Sequence, residues 1–452
     1  MRDHLVMAIV LGSVPVIFFR PFVGLVVYSW LAFMRPQDMA FGASRELPLS
    51  LWVAIAMVIG LALALGRERA MTLHVQTILL ALLGIWISGT VLNAVSRPAA
   101  MKVYGNYWKA IVISLLTTGL VRDRRRLRTM LLLIAFSIGF LGAKRGLFGL
   151  VRGGIRYDDG PGGFMSDNNS FALALNMVLP LLVGFALTEE KRWVRLVSAG
   201  AAALCMLSIL FTFSRGGLLT LLVVGCMLVW RSQHRFLVAA LLALGIGGFA
   251  LISSSELMEQ YVERASTISH YEEDGSALGR LTAWKASWKV FHDHPILGIG
   301  PNNLQVVWTR YAGTARFHVA HNAYLQLLAE CGLPGLLLFL GVIATAFWHL
   351  QKLRAATAVP WIETQARMIQ ISIVGYLVGS MFLNTAYQEL IYHLVALSVC
   401  AEVVAGSLAL SSAEGGSGGE AQPVPADGGI PWWQRPRPGR LGPAAPTWTG
   451  GA

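Results

Sequence analysis

Charge is what this sequence has least of. Only 13% of its 452 residues are charged, against roughly 25% in an average soluble domain, while 55% are hydrophobic. A soluble fold of this size needs charge to cover its surface, whereas a surface facing lipid needs none. Cysteine is scarce too. Cys205, Cys226, Cys331 and Cys400 stand apart from one another, with no CxxC or metal-ligand spacing, so neither a disulfide framework nor a zinc site is indicated. No basic soluble domain is present to carry a nucleic acid. The net charge of +12 therefore reads as an orientation signal plus contact with anionic lipid head groups. A small-residue cleavage site is also missing before Arg20-Pro21, so the first apolar run reads as a retained span rather than a signal peptide.

What is present is a succession of apolar runs, most of them long enough to cross a hydrocarbon core of about 30 Å. They lie near 5–34, 49–65, 72–92, 103–121, 127–143, 169–187, 194–212, 216–230, 236–253, 321–348, 367–384 and 390–408. The first is broken by Arg20-Pro21 and is either one bent span or a hairpin. The expected fold is an all-α polytopic membrane protein with about 12 (12–13) transmembrane helices. Residues 1–410 form its membrane domain, and 254–320 form one long periplasmic loop carrying short helices. From Ser411 the composition turns to Gly, Pro, Ala and Ser, which cannot bury a core, so 411–452 is expected to be a disordered cytoplasmic tail.

Lysine and arginine bias sets the orientation. The loop Arg122-Asp123-Arg124-Arg125-Arg126-Leu127-Arg128 is the most basic and is expected to face the cytoplasm. Alternation then puts Lys191-Arg192, Arg231/Arg235 and Lys352-Arg354 on the same side. The segments 35–48, 144–168, Phe213-Ser214-Arg215 and 254–320 fall on the opposite, periplasmic face of an inner membrane.

Four polar places stand out on that face. In Phe211-Thr212-Phe213-Ser214-Arg215-Gly216-Gly217, Arg215 is either an interfacial anchor or a fixed charge facing a polar cavity. The adjacent glycines permit close approach of a backbone or ligand. In the long loop, Arg280, Trp284 and Trp288 fall at i, i+4 and i+8, so they are expected on one helix face, with Lys285, Lys289 and His292 elsewhere. Ser276 or Asp274 could cap that helix, and Pro295 ends it. Such a helix is either a plain amphipathic surface helix or one that offers Arg280 to a phosphate and its indoles to a lipid or sugar. Gly298-Ile299-Gly300-Pro301-Asn302-Asn303 follows as a turn with free backbone N–H groups. His321, in His318-Val319-Ala320-His321-Asn322-Ala323-Tyr324, is expected in the first turn of the next helix. The helix dipole and a nearby arginine would there favour a neutral imidazole able to act as a general base, unless it is simply an interfacial histidine. The stretch 144–168, with Asp158-Asp159-Gly160-Pro161-Gly162-Gly163 and Asp167-Asn168-Asn169, either orients an acceptor sugar or is a turn.

With these residues in view, the chain resembles the O-antigen ligase and O-antigen polymerase superfamily. It is most similar to the O-glycosylation ligases associated with exosortase systems. The likeness rests on Arg20-Pro21-Phe22-Val23-Gly24 through Met34-Arg35-Pro36, on Gly142-Ala143-Lys144-Arg145-Gly146-Leu147-Phe148 and on Gly162-Gly163-Phe164-Met165-Ser166-Asp167-Asn168-Asn169. It continues through Ser214-Arg215-Gly216, Gly279-Arg280-Leu281-Thr282-Ala283-Trp284, and His321-Asn322-Ala323-Tyr324 to Gly332. It covers about 5–405, with a departure at Pro36-Gln37-Asp38, where that branch usually carries a histidine and an arginine after the proline.

The resemblance implies a metal-independent, cofactor-free, inverting glycosyltransferase. It would move a glycan from an undecaprenyl-diphosphate donor to a hydroxyl of a lipid, polysaccharide or protein. The family's diphosphate-binding arginines match Arg215 and Arg280, and its essential histidine matches His321. The expected substrate contacts are Arg215, Arg280, Trp284, Trp288, Lys285, Asp167 and Asn168. A polymerase with the same donor chemistry is the alternative within the class. A transporter or flippase of lipid-linked glycan is the alternative outside it, although no internal repeat is visible.

Overall fold

A chain surrounded by lipid must satisfy its backbone hydrogen bonds internally, so its apolar runs become helices. The structure, a computed structural model, describes residues 2–40, 42–64, 66–231, 235–252, 259 and 275–415. Its long helices are α1 (Arg2–Phe19), α2 (Pro21–Phe33), α3 (Leu49–Leu63), α4 (Val75–Leu92), α5 (Arg97–Leu120), α6 (Arg124–Val151) and α7 (Asn168–Thr188). They continue as α8 (Arg192–Phe211), α9 (Arg215–Arg231), α10 (Arg235–Ile252), α11 (Gly275–Asp293), the short α12 (Trp308–Ala312), α13 (Ala323–Ala356), α14 (Pro360–Gly379) and α15 (Glu389–Gly415). Among the described residues, strand is confined to one antiparallel hairpin, β1 (Asp159–Gly162) and β2 (Met165–Asp167).

Seven of these helices are long and apolar enough to cross a membrane, while α2 and α3 are shorter apolar helices. Large apolar side chains lie exposed along many of them, including Leu5, Leu63, Ile85, Leu196 and Leu337. An exposed apolar surface of that extent belongs against lipid. The chain is an all-α polytopic membrane protein.

The connections sort into two ends. At the basic end, Arg126 forks onto Glu68 at 2.8 and 2.9 Å and its guanidinium lies over the Phe22 ring. Arg128 pairs with Glu189 there, and Arg367 with Glu363. At the other end, Ser96 N–H donates to Asn303, Asn168 to the Thr212 carbonyl and Asn322 N–H to Asn384. Successive loops alternate between the two ends, as the arginine-rich loop predicts. They also resolve the first run. Asp3 accepts a hydrogen bond from Ser44 N–H at 2.9 Å, while Phe22 sits at the basic end. Thus α1 and α2 form a helical hairpin hinged at Arg20, with Pro21 supplying the preset φ of a helix start.

Several features differ from the sequence reading. α6 runs to Val151, about two turns past its apolar run, and Gly142, Gly146 and Gly149 continue its buried face at helical spacing. His321 stands outside α13, not in its first turn. Asn322 is the cap, its Oδ1 accepting from the N–H groups of Tyr324 and Leu325, both at 3.0 Å. The N–H groups of the 298–303 turn are not free: Ile299 and Gly300 donate to the carbonyls of Ala329 and Glu330. This packing needs glycine at 298, where φ is 65° and a Cβ would fall 2.4 Å from Glu330. α13 itself kinks at Gly332, two residues before Pro334.

α11 ends before Pro295, as expected, but the proposed cap Asp274 lies outside the described residues, as do most of 254–274 and, of the expected tail 411–452, residues 416–452. Residues 411–415 continue α15 as helix rather than beginning a disordered tail.

Candidate functional site

α7 is buried along almost its whole length, so what its N-terminus presents is held by the core of the bundle. Asp167 caps it, with Oδ1 accepting from Asn169 N–H and Ser170 N–H at 2.9 and 3.0 Å. The next two residues reach across to the tight turn between α8 and α9. Asn168 Nδ2 donates to the Thr212 carbonyl at 2.9 Å, and Asn169 Oδ1 accepts from the Ser214 hydroxyl at 2.7 Å. Between those two attachments Phe213 adopts a left-handed φ of 51°, a conformation that carries a steric cost for a residue with a Cβ. Ser214 Oγ also accepts from Gly217 N–H at 3.0 Å, capping α9. Arg215 therefore leaves the first residue of a helix whose entry is fixed at several points. Gly217 makes the close crossing possible, since a Cβ there would lie 2.7 Å from Ala172 Cβ.

Above this turn is a cavity of about 450 Å³ lined by Arg215 and Arg280 together. Asp158, Asn168, Asn169, Ser214 and Thr220 add polar groups, and Leu173, Phe213, Phe382 and Leu383 form the apolar wall. Two guanidinium groups beside a helix N-terminus suit an anion with several oxygens, because forked N–H pairs match phosphate geometry.

His321 lies within electrostatic reach of Arg280 and of Asp167. Burial holds its pKa below the ordinary histidine value, Arg280 pushes it further down, and Asp167 partly opposes them. These influences favour the neutral imidazole, with burial rather than a helix end as the leading cause. The backbone of His321 is left-handed as well, with φ 46°.

The remaining predicted contacts separate. Asn168 lines the cavity, and Asp167 acts on His321 through its charge. Trp284, Trp288 and Lys285 are not among the cavity's lining residues. Trp284 packs on the core of the long loop with Ala283, Ala286 and Trp308, and its indole donates to the Ala320 carbonyl at 2.7 Å. Trp288 is half exposed against Phe291 and His292, and Lys285 is exposed. The single face expected for 280, 284 and 288 splits because eight residues of α-helix drift by about 80°. Phe382 and Leu383 were absent from the sequence reading. Their only signal was the end of the apolar run 367–384.

A second polar cluster, His74, His349 and Glu402, has metal-ligand residue types. His74 Nδ1 accepts from Gln76 N–H at 3.4 Å, which leaves the ring proton on Nε2, 3.3 Å from Glu402. A metal-bound imidazole normally donates its second nitrogen's proton outward. This arrangement has the opposite polarity and reads as a hydrogen-bonded triad.

Fold and site define a multi-pass helical membrane protein with a cavity lined by two arginines at one end. Residues 200–340 match the O-antigen ligase family, and residues 1–173 match a family of unknown function (DUF5935). The first of these segments contains Arg215, Arg280 and His321, and over it the chain is similar to the O-antigen ligases. No curated protein matches the chain. The family match supports a membrane enzyme of the glycosyltransferase-like ligase or polymerase kind.

Proposed function

We propose that the protein is an inner-membrane glycosyltransferase that moves a glycan from undecaprenyl diphosphate to an acceptor hydroxyl at the periplasmic face. The observation that carries this reading is that Arg215 and Arg280 line one cavity, with His321 close enough to Arg280 for its pKa to respond. The basic loops at the opposite end favour a cytoplasmic location for that end. The membrane domain is residues 1–410 and the tail 411–452 is cytoplasmic.

In the reaction the acceptor oxygen attacks the anomeric carbon as the bond from that carbon to the diphosphate oxygen breaks. Negative charge grows on the departing undecaprenyl diphosphate, and Arg215 and Arg280 stabilise it through charge-assisted hydrogen bonds. His321, neutral at pH 7, takes the acceptor hydroxyl's proton and later releases it to solvent. A single in-line displacement inverts the anomeric centre. Asn168 and Asp158 on the cavity wall offer polar groups that would hydrogen-bond the sugar of the donor in this reading. No metal is needed in this scheme, because the two guanidinium groups supply the positive charge.

The test is transfer by the purified protein in lipid nanodiscs, supplied with an undecaprenyl-diphosphate-linked oligosaccharide and a hydroxyl acceptor. Release of undecaprenyl diphosphate with transfer of a single block supports the ligase. Extension of one lipid-linked glycan by another identifies a polymerase. Translocation of donor with no bond made or broken would defeat the reading in favour of a transporter.

A further inference from the structure

His321 holds a left-handed backbone with no glycine to ease it, and the residues on both sides of it are gripped by side chains from distant elements. Before it, the carbonyl of Ala320 accepts from the Trp284 indole N–H at 2.7 Å. After it, the N–H of Asn322 donates to Asn384 Oδ1 at 3.1 Å. We propose that Trp284 and Asn384 are positioning residues, two jaws that hold His321 in its left-handed conformation so that the imidazole stays beside Arg280. The proposal rests on the general-base role assigned to His321 above.

Both jaws are rigidly mounted. Trp284 belongs to the same helix as Arg280 and packs on the core of the long loop. One helix therefore fixes the arginine and one flank of the histidine. Asn384 lies in the connection between α14 and α15, next to the cavity residues Phe382 and Leu383. Tyr376 donates to the Thr385 carbonyl at 2.9 Å, and Tyr392 to that of Ala386, so the loop around Asn384 is tied down twice. Asn384 itself is exposed between the buried residues Leu383 and Thr385. Packing thus makes little demand on its side chain, and the hydrogen bond to Asn322 is its evident use. A left-handed residue persists only where its surroundings over-determine it, and these two bonds bracket the strained position.

The test reads His321 directly. The charged groups that act on it are Arg280 of α11 and Asp167 at the head of α7. If a jaw is removed, His321 relaxes away from Arg280 and its buried position, and its pKa rises toward the ordinary histidine value. The full-length protein in nanodiscs, labelled at histidine, is titrated by NMR without substrate, and the His321 signal is assigned by its loss in His321→Ala. Asn384→Leu and Trp284→Phe are both expected to move the titration upward. In a transfer assay with an undecaprenyl-diphosphate-linked oligosaccharide, each should lower kcat by roughly tenfold to a hundredfold, the scale of a small misplacement at a reacting centre, with little change in donor KM. Asn384→Asp keeps the acceptor oxygen and is expected to restore most of kcat.

An unmoved His321 titration in both variants would overturn the proposal. So would a loss of kcat that Asn384→Asp shares in full. Trp284→Phe keeps an aromatic ring while removing the N–H donor together with the pyrrole half of the indole, so it remains informative should Asn384→Leu fold poorly. Full transfer by His321→Ala would instead remove the general-base reading, and the NMR result would then stand by itself as a statement about the backbone.

Discussion

Asn169 accepts a hydrogen bond from the Ser214 hydroxyl at 2.7 Å. Through it the buried helix α7 fixes the residue that precedes Arg215. The bond joins positions 45 residues apart in sequence and makes the placement of a guanidinium depend on the core of the bundle. An arginine on a tight turn becomes a directed charge because the turn cannot swivel.

Arginine at 280 should not be replaceable by lysine. Lysine keeps the charge but loses the fork that meets two phosphate oxygens at once. By analogy with one oxyanion donor, worth about 3–4 kcal/mol, Arg280→Lys should lose most of its kcat. The same holds for Arg215→Lys. Near-normal transfer by either variant would remove the bidentate role.

The pH dependence carries a definite sign. Burial and Arg280 lower the His321 pKa, so the acid limb of kcat/KM is expected below the ordinary histidine value of about 6.5. Asp167 raises that pKa, and Asp167→Asn should therefore move the limb to still lower pH. Asparagine can keep the cap on α7, which separates the charge effect from loss of structure. A limb that moves upward in this variant would contradict the assignment.

Much of the fold was legible because lipid imposes one rule on every span. The apolar runs became helices, the first of them a hairpin of two, and the arginine-rich loop paired the other basic connections at its end. The site was legible only in part. Arg215, Arg280 and His321 were visible as polar residues where apolar ones were expected, but their surroundings were not. The reading of His321 inside α13 failed because His321 and Asn322 both suit a helix start, and only the capping bonds to Tyr324 and Leu325 decide between them. The turn at 298–303 looked open because its acceptors, the carbonyls of Ala329 and Glu330, lie on another helix. Trp284 looked like a ligand contact because a helical repeat reveals which residues share a side but not what that side meets. Asn384 carries no local pattern at all.

Gly217→Val tests how the turn is built. A side chain there meets Ala172 at less than van der Waals distance, and overpacking of this kind typically costs about 1–3 kcal/mol. The variant should melt at lower temperature in nanodiscs and lose transfer activity, because α7 and α9 must separate and carry Arg215 with them. Unchanged melting would show that the crossing tolerates a larger residue.

Gly298→Ala probes the other wall of the loop. Its positive φ and the 2.4 Å approach to Glu330 leave no room for a methyl group. Strain at such a position costs of order 1–3 kcal/mol, so thermal stability should fall by a comparable amount. A wild-type melting temperature would mean that the turn does not pack on α13 as described.

The central claim is that Arg215, Arg280 and His321 act together on one lipid diphosphate donor. A double-variant cycle in the reconstituted transfer assay tests it most directly, with Arg280→Lys, His321→Ala and the two combined, each read as release of undecaprenyl diphosphate dependent on acceptor. Groups that act as one unit are strongly non-additive, so the combined variant should be scarcely slower than the slower single one. Losses that multiply fully would contradict the account, as would acceptor-dependent release that survives His321→Ala unchanged.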